Sequence, residues 1–328
     1  MNVPSVDSSG KQPTVISLFA GCGGSSLGYE LAGFRELLAI EWDDNAVATF
    51  KLNFPDVPVY HGDIAKLTGP ECMRLADIKL GALDLLDASP PCQGFSTAGK
   101  RRFTDLRNSL FMEFARLLKD LQPRTFVMEN VTGLIRGYMK QAYLCIIQTL
   151  RGCGYRARGE VMNAVYFDVP QYRERVIIIG VRNNLGIEPS FPQPQTKPRT
   201  VRDAIGHLPK GERGKHQPQV IDAWYKSKPG QSLCRAIRYV GSFQSVRLDP
   251  NRPSNTQIKA HSNWHYEVPR HLTIQEASLL QGFPDTFKWH GTQTDIKAHI
   301  GNSVPPNLIK AIAEHMKIEI LRKASKGA

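Results

Sequence analysis

Between Thr14 and Val181, short runs of β-branched and aliphatic residues alternate with stretches whose apolar positions recur at helical spacing. Such alternation is the mark of βαβ units feeding a parallel sheet. The runs TVISLF (14–19), LLAIE (37–41), LDLLDAS (83–89), TFVMEN (125–130) and RVIIIGV (175–181) are predicted as core strands. Segments 25–32, 45–52 and 109–121 are predicted as helices, the last with Leu110, Phe114, Leu117, Leu118 and Leu121 near one face. Breaks fall at Gly69-Pro70, at Leu121-Gln122-Pro123 and in the proline-rich run 189–198. Beyond Pro198 the periodicity weakens until Thr273. It returns over 308–321, predicted as a helix that packs back on the first domain.

A chain of 328 residues exceeds the usual single-domain size, so an α/β domain plus a smaller unit is expected. No run of apolar residues is long enough to span a bilayer, and residues 1–12 are too polar for a secretory signal, so a cytoplasmic protein with no membrane partner is expected. The six cysteines show no C-x-x-C pair and no zinc spacing, which points to reduced thiols and no metal site. Charge changes the picture more. The net charge is +12, and 181–270 holds 15 Lys and Arg against 6 Asp and Glu, while the rest of the chain carries a net charge of only +3. The same stretch interleaves Trp224, Tyr225, Tyr239, Phe243, Trp264 and Tyr266 with the bases. It reads either as a solvated basic loop region or as a surface that neutralises phosphates and offers flat side chains to a nucleic acid.

Candidate chemistry gathers at the predicted strand ends, the edge where open α/β sheets place ligands. The first strand runs into Phe19-Ala20-Gly21-Cys22-Gly23-Gly24, where glycines permit a tight turn and close approach of a ligand. Glu41 lies 20 residues past Gly21, where a ribose-binding acid belongs, and Asp63 in Gly62-Asp63-Ile64 is placed to accept from an adenine amino group or to cap a helix. An adenosine-containing ligand fits both acids, and a nicotinamide or flavin cofactor stays open on these residues alone. Pro90-Pro91-Cys92-Gln93 follows a buried strand, with the prolines fixing where the thiol points. A polar, basic segment (93–108) comes next, suited to closing over a substrate. Glu129-Asn130-Val131 ends the next strand, on the same edge as Cys92. In Gln171-Tyr172-Arg173-Glu174-Arg175 strand alternation directs Arg173 and Arg175 to one side, unless they serve as surface ion pairs with Glu174 or Glu160.

Taken in order, F-A-G-C-G-G, E-W-D, G-D-I, P-P-C-Q, E-N-V, Q-Y-R-E-R, R-H-L-T-I-Q-E with L-Q-G-F-P-D, and G-N-S-V-P-P resemble the DNA cytosine-5 methyltransferase family of bacterial and phage restriction-modification systems, over nearly the whole chain. The resemblance implies an α/β chain: a Rossmann-like S-adenosylmethionine-binding domain over 13–189 and 295–328, and a smaller, irregular target-recognition domain with its hinge over 190–294. It implies S-adenosyl-L-methionine as cofactor, with Phe19 and Trp42 on the adenine, Glu41 on the ribose and Asp63 on the adenine edge. Ala20, Gly21, Gly23, Gly24, Ile64, Pro91, Asn302 and Ser303 complete that site. Cys92, Glu129, Arg173 and Arg175 become the catalytic set. Double-stranded DNA becomes the partner of a monomer, associated with the nucleoid, with a cognate restriction endonuclease as candidate companion. Two departures stand out: Ser17 where many members have Asp, and Gln275 where the L-T-x-R-E pattern has Arg.

C5 of cytosine is a poor nucleophile until a thiolate adds at C6, so Cys92 is the expected attacking group, activated by Arg175 and the basic loop. Glu129 is expected at N3, Arg175 at O2 and the Pro90 carbonyl at the exocyclic amine, with the cytosine flipped out of the duplex. Three other readings compete. A tRNA methyltransferase of the same family carries a Cys-Phe-Thr element that is absent here. A DNA-binding regulator on an inactive scaffold does not require Cys92, Glu129, Arg173 and Arg175 to be intact. A nicotinamide enzyme leaves P-P-C-Q and E-N-V unexplained.

Overall fold

A computed structural model describes residues 12–91, 110–234, 246–259 and 263–326. Cys92 and the basic loop 93–108 lie outside the described residues. The chain divides into two compact units, one built from 1–162, 174–193 and 309–328, the other from 163–173 and 194–308.

The first unit alternates β1 (Thr14–Leu18), α1 (Gly24–Leu31), β2 (Arg35–Glu41), α2 (Asp44–Asn53), β3 (Val59–His61), α3 (Gly69–Leu75), β4 (Leu85–Ala88), α4 (Leu110–Leu121), β5 (Thr125–Val131), α5 (Lys140–Gly152), β6 (Tyr155–Asn163) and β7 (Glu174–Arg182). The seven strands form one sheet in the order β3-β2-β1-β4-β5-β7-β6. It is a mixed α/β fold. The five strands from β3 to β5 are parallel, but β7 runs antiparallel to β5, a correction to the all-parallel sheet expected from the sequence. The reason is the connection: β6 leads to β7 through 164–173, which carries only a short 3-10 turn at Ala164–Tyr166 and no crossover helix.

On one face of the sheet, α4 and α5 pack against an apolar cluster. Ile16 and Leu18 of β1, Leu38 and Ile40 of β2, Leu86 and Ala88 of β4 meet Phe114, Leu117, Leu118 and Leu121 of α4, all buried. Each strand places these residues at every second position, so the intervening ones, Ser17, Asp87 and Glu129 among them, belong to the opposite face.

The second unit carries α6 (Val201–Ile205), α7 (Pro218–Lys226), β8 (Val246–Arg247), β9 (Asn263–Trp264), α8 (Ile274–Leu280) and α9 (Gln293–Asn302). Its helices are short, and α6, α8 and α9 start at side-chain caps: Thr200, Thr273 and Thr292 each form a reciprocal capping box with an acid three residues on. The chain then leaves through α10 (Pro306–His315), a π-helical turn (Met316–Leu321) and α11 (Arg322–Lys326). Lys317, on the π turn, sends its Nζ to the Ala32 carbonyl at the end of α1, so this segment does pack on the first unit.

The unit boundary differs from the expected 190–294. Residues 163–173 and 295–308 both cluster with the second unit, because Asn163, Gln171 and Arg173 hydrogen-bond within their own segment or to residues between Gln257 and Ser303.

Candidate active site

The turn after β1 holds a strained backbone. Phe19, a bulky residue, takes φ 58°, and Gly21 and Gly23 take φ 56° and 94°. A Cβ on Gly21 would meet open space, whereas one on Gly23 would strike the Phe54 ring. Glycine at 21 therefore leaves room for a ligand, and glycine at 23 lets α1 pack on α2. Glu41, at the end of β2, holds the turn in place. One carboxylate oxygen accepts from Gly21 N–H at 2.7 Å, the other from Trp42 and Asp43 N–H at 2.8 and 2.9 Å. A carboxylate has about four lone-pair sites, so one remains for a ribose hydroxyl.

Beside this acid the Trp42 side chain stands 78% exposed, an unusual setting for an indole unless a flat ligand covers it. Asp63 caps the 3-10 turn Ile64–Lys66 through a bond from Ala65 N–H at 3.0 Å, the helix-cap role considered from sequence, and its residue is exposed enough to take a second donor. Ile64 is buried below it, and Phe19 packs partly on the main core. An open glycine turn, an exposed indole, an acid with one lone pair left and an exposed aspartate together fit an adenosine-bearing cofactor.

At the ends of β4 and β5 lies the second half of the constellation. Glu129 Oε1 sits 2.7 Å from Arg175 Nε, with both side chains nearly buried. Arg175 is further pinned by its Nη1, which donates to the Glu174 carbonyl at 2.8 Å. Val131 and Arg175 are register partners across the antiparallel pair β5·β7, and this places the guanidinium beside the strand end that carries Glu129. Asn130 donates from Nδ2 to the Pro90 carbonyl at 3.1 Å, and its own Oδ1 accepts from Val131 N–H. The Pro-Pro turn leading to Cys92 is thus tied to the strand bearing Glu129. Pro90 is buried, Pro91 is exposed and Cys92 itself lies outside the described residues.

Arg173 does not join this pair. It belongs to the second unit, is buried, and donates to the carbonyls of Gln257, Gly301 and Ser303 at 2.9–3.0 Å. β7 begins only at Glu174, so strand alternation does not extend back to Arg173, and the expected catalytic arginine is a scaffold residue instead. Around it run bonds that sequence reading missed. Gln171 joins Leu280 and Gln281, and Gln281 joins Ser303. Asn302, exposed at the end of α9, and Ser303 lie in this same unit.

Three of the aromatics expected on a nucleic-acid surface are core instead. Trp224, Trp264 and Tyr266 are buried, with Arg247 stacked 3.8 Å over Trp224 and the Trp224 indole donating to the His265 carbonyl. A unit with one two-stranded sheet and short helices has few aliphatic faces to bury, and large rings fill the space. Tyr225 is 62% exposed, and Tyr239 and Phe243 lie outside the described residues. Arg270 and Glu276 form a bidentate pair at 2.7 Å; burial alone would raise the Glu276 carboxyl, but this pairing and the Thr273 N–H outweigh it and hold the carboxyl below its ordinary value. Gln275 bonds to Asp285, so the departure at this position keeps a polar anchor.

The other departure, Ser17, is buried on the sheet face that also carries Asp87. Ser17 is the register partner of Asp87. Tyr29 donates to Asp87 at 2.9 Å, and Ser26 to Glu36 at 3.1 Å. Burial, offset by the Tyr29 and Ser25 hydroxyls and reinforced by the charge of Glu129, pushes Asp87 up to about 7. Burial likewise pushes Glu36 up to about 8, against the pull of the Ser17 and Ser26 hydroxyls. The sequence signal was an acid in the middle of the apolar run LDLLDAS.

Comparison with known proteins agrees with this arrangement. The family model for C-5 cytosine-specific DNA methylases matches residues 13–318. The Type II methyltransferase M1.HphI of Haemophilus parahaemolyticus is 37% identical over 322 residues, covering 92% of this chain and 86% of that protein. M.XorII of Xanthomonas oryzae pv. oryzae is 31% identical over 373 residues, covering 96% and 87%. Among solved structures, one described as a DNA modification methyltransferase encoded within an E. coli prophage superposes with TM-score 0.81 at 26% identity, covering 94% of this chain and 99% of that one. The chain belongs to the C-5 cytosine-specific DNA methylases and is a DNA cytosine-5 methyltransferase of the Type II restriction-modification kind.

Proposed function

We propose that the chain transfers a methyl group from S-adenosyl-L-methionine to C5 of a cytosine flipped out of a specific duplex sequence, through a covalent bond between Cys92 and C6. The observation that carries this reading is the buried Glu129–Arg175 pair, tied through Asn130 to the turn that leads into Cys92. When bound, the cofactor supplies an electrophilic methyl on a sulfonium centre. Glu41, Trp42, Asp63 and the turn 19–24 hold its adenosine part.

The Cys92 thiolate adds to C6, and the electron pair of the C5–C6 double bond moves to C5. Negative charge spreads toward N3 and O2 of the ring. Glu129, in its protonated form, delivers a hydrogen bond or proton to N3, and Arg175, held beside it, stabilises O2. The Pro90 carbonyl, already accepting from Asn130, keeps a second lone pair for the exocyclic amine. Once C5 carries the methyl, loss of its hydrogen as a proton restores the double bond and expels the thiolate. Flipping costs a few kcal/mol of stacking and pairing, which contacts from the basic stretch 181–270 offset. The second unit is the target-recognition part, the protein acts as a monomer, and a nuclease reading the same sequence is its natural companion.

Bisulfite sequencing of plasmid DNA carried by cells expressing the chain tests this. The reading predicts cytosines protected within one short sequence, and none protected with Cys92→Ala. Protection that persists in Cys92→Ala, or none with the wild-type chain, contradicts it.

A further inference from the structure

The polar cluster around Asp87 is buried within the first unit. Asp87 is 2% exposed in a strand whose other residues, Leu85, Leu86 and Ala88, are aliphatic and buried, and Tyr29, its partner, is fully buried on α1. A buried carboxyl is expensive to retain for packing alone, and replacing such groups by apolar ones is often neutral or stabilising. Its position is specific. Tyr29 is six residues from Gly23, the last residue of the strained turn, on the helix that the turn starts. Asp87 is three residues before Pro90, the carbonyl that Asn130 grips. Asp87 also pairs in register with Val127 on β5, so alternation sets it on the same face as Glu129, whose charge it senses.

We propose that Tyr29 and Asp87 form a positioning pair: their buried hydrogen bond locks the helix that follows the turn 19–23 to the strand that leads into Pro90-Pro91. Asp87 thereby serves methyl transfer without touching either substrate. The inference rests on the proposed function, since it takes the turn as the cofactor site and Cys92 as the nucleophile. Ser17 fits the same account. As the register partner of Asp87 it is a small neighbour, and the acid of this face stands on β4 rather than on β1.

The pair is built to depend on pH. The groups facing Asp87 are Tyr29 and Ser25 from α1 and Glu129 from β5; Glu36 from β2 adjoins them, itself faced by Ser17, Ser26 and Glu30. With Asp87 near 7, the ionised carboxylate above that pH takes a charge-assisted bond from Tyr29, and the neutral acid below it takes a weaker one.

The test measures cofactor affinity by equilibrium dialysis with labelled S-adenosylmethionine, and methyl transfer to genomic DNA, from pH 6 to 9. Wild-type affinity should rise roughly fivefold across neutrality. Tyr29→Phe and Asp87→Asn should each bind the cofactor roughly tenfold more weakly, lower kcat to a similar degree and flatten the rise with pH. Combining them should cost no more than the larger single change, as expected of two residues acting through one bond. If either single variant fails to fold, Tyr29→Phe with Asp87→Leu removes both polar partners together and keeps the core dry. That protein should be as stable as wild type at pH 8 and still bind the cofactor weakly. Folded variants with wild-type affinity, kcat and pH profile overturn the pair, whatever their melting temperatures. A wild-type chain that neither binds the cofactor nor methylates DNA overturns the proposed function instead, before any variant is made.

Discussion

Glu129 is asked to supply a hydrogen bond or proton to N3 while a guanidinium 2.7 Å away keeps it in place. Glu129→Gln preserves the shape and removes the acid, so turnover should fall roughly 10²-fold or more while cofactor affinity is retained. Labelled-methyl incorporation against equilibrium dialysis checks this, and unchanged turnover removes Glu129 from the mechanism. Residues such as Glu129 and Glu41 are legible in the sequence because each ends a strongly apolar run, and strand ends are where α/β sheets expose side chains. Arg173 was misread because the two-residue period was applied one residue before β7 starts. The grip of Asn130 on the Pro90 carbonyl was not legible, since a bond between residues 40 positions apart leaves no local pattern. Asp87 was visible as an acid in an apolar run, but its partner Tyr29 lies 58 residues away.

Among the elements, β1, β2, β4, β5 and β7 fall within a few residues of the apolar runs that predict them, as do α1, α2, α4 and the helix after Pro306. β6 escaped because YRARGEVMN, an edge strand, alternates small or apolar with charged residues and lacks the continuous apolar run that marks the other strands. The helices of the second unit escaped for another reason: α6, α7, α8 and α9 span five to ten residues, too short to show a period, and the starts of α6, α8 and α9 are set by threonine caps. At the level of β2 packed on α1, Glu36 makes a prediction about stability. Its folded-state acidity, near 8, is raised above its ordinary value, so from about pH 4.5 upward the unfolded chain loses this proton while the folded chain retains it. Stability therefore declines as pH rises through that window and levels off above 8. Glu36→Gln removes the decline and should gain at least about 1 kcal/mol at pH 8, with little change at pH 4. Thermal melts at the two pH values decide it; an equal effect at both contradicts the assignment.

For the molecule as a whole, the basic charge of 181–270 is in part committed within the fold. The stretch 181–270 is strongly basic, yet Arg270 and Arg247 are committed to internal bonds and Lys210, Lys226 and Arg252 to nearby acids. Lys215 and Lys228, among others, remain for phosphates, and duplex affinity should still fall on the order of tenfold or more between low and physiological salt. A flat salt response, read by filter binding or anisotropy, contradicts a phosphate-contacting second unit. Exchanging 199–262 for the same part of a relative should change the sequence methylated and leave the chemistry intact. The claim on which all of this depends is covalent attack by Cys92, and a duplex carrying 5-fluorocytosine at the methylated position tests it most directly. Fluorine cannot leave C5 as a cation, so attack and methyl transfer proceed and release stops. A protein–DNA adduct should form that survives denaturing electrophoresis, requires S-adenosylmethionine, maps to the peptide containing Cys92 and disappears in Cys92→Ala. An enzyme that methylates ordinary cytosine at that position yet never forms this adduct contradicts the account.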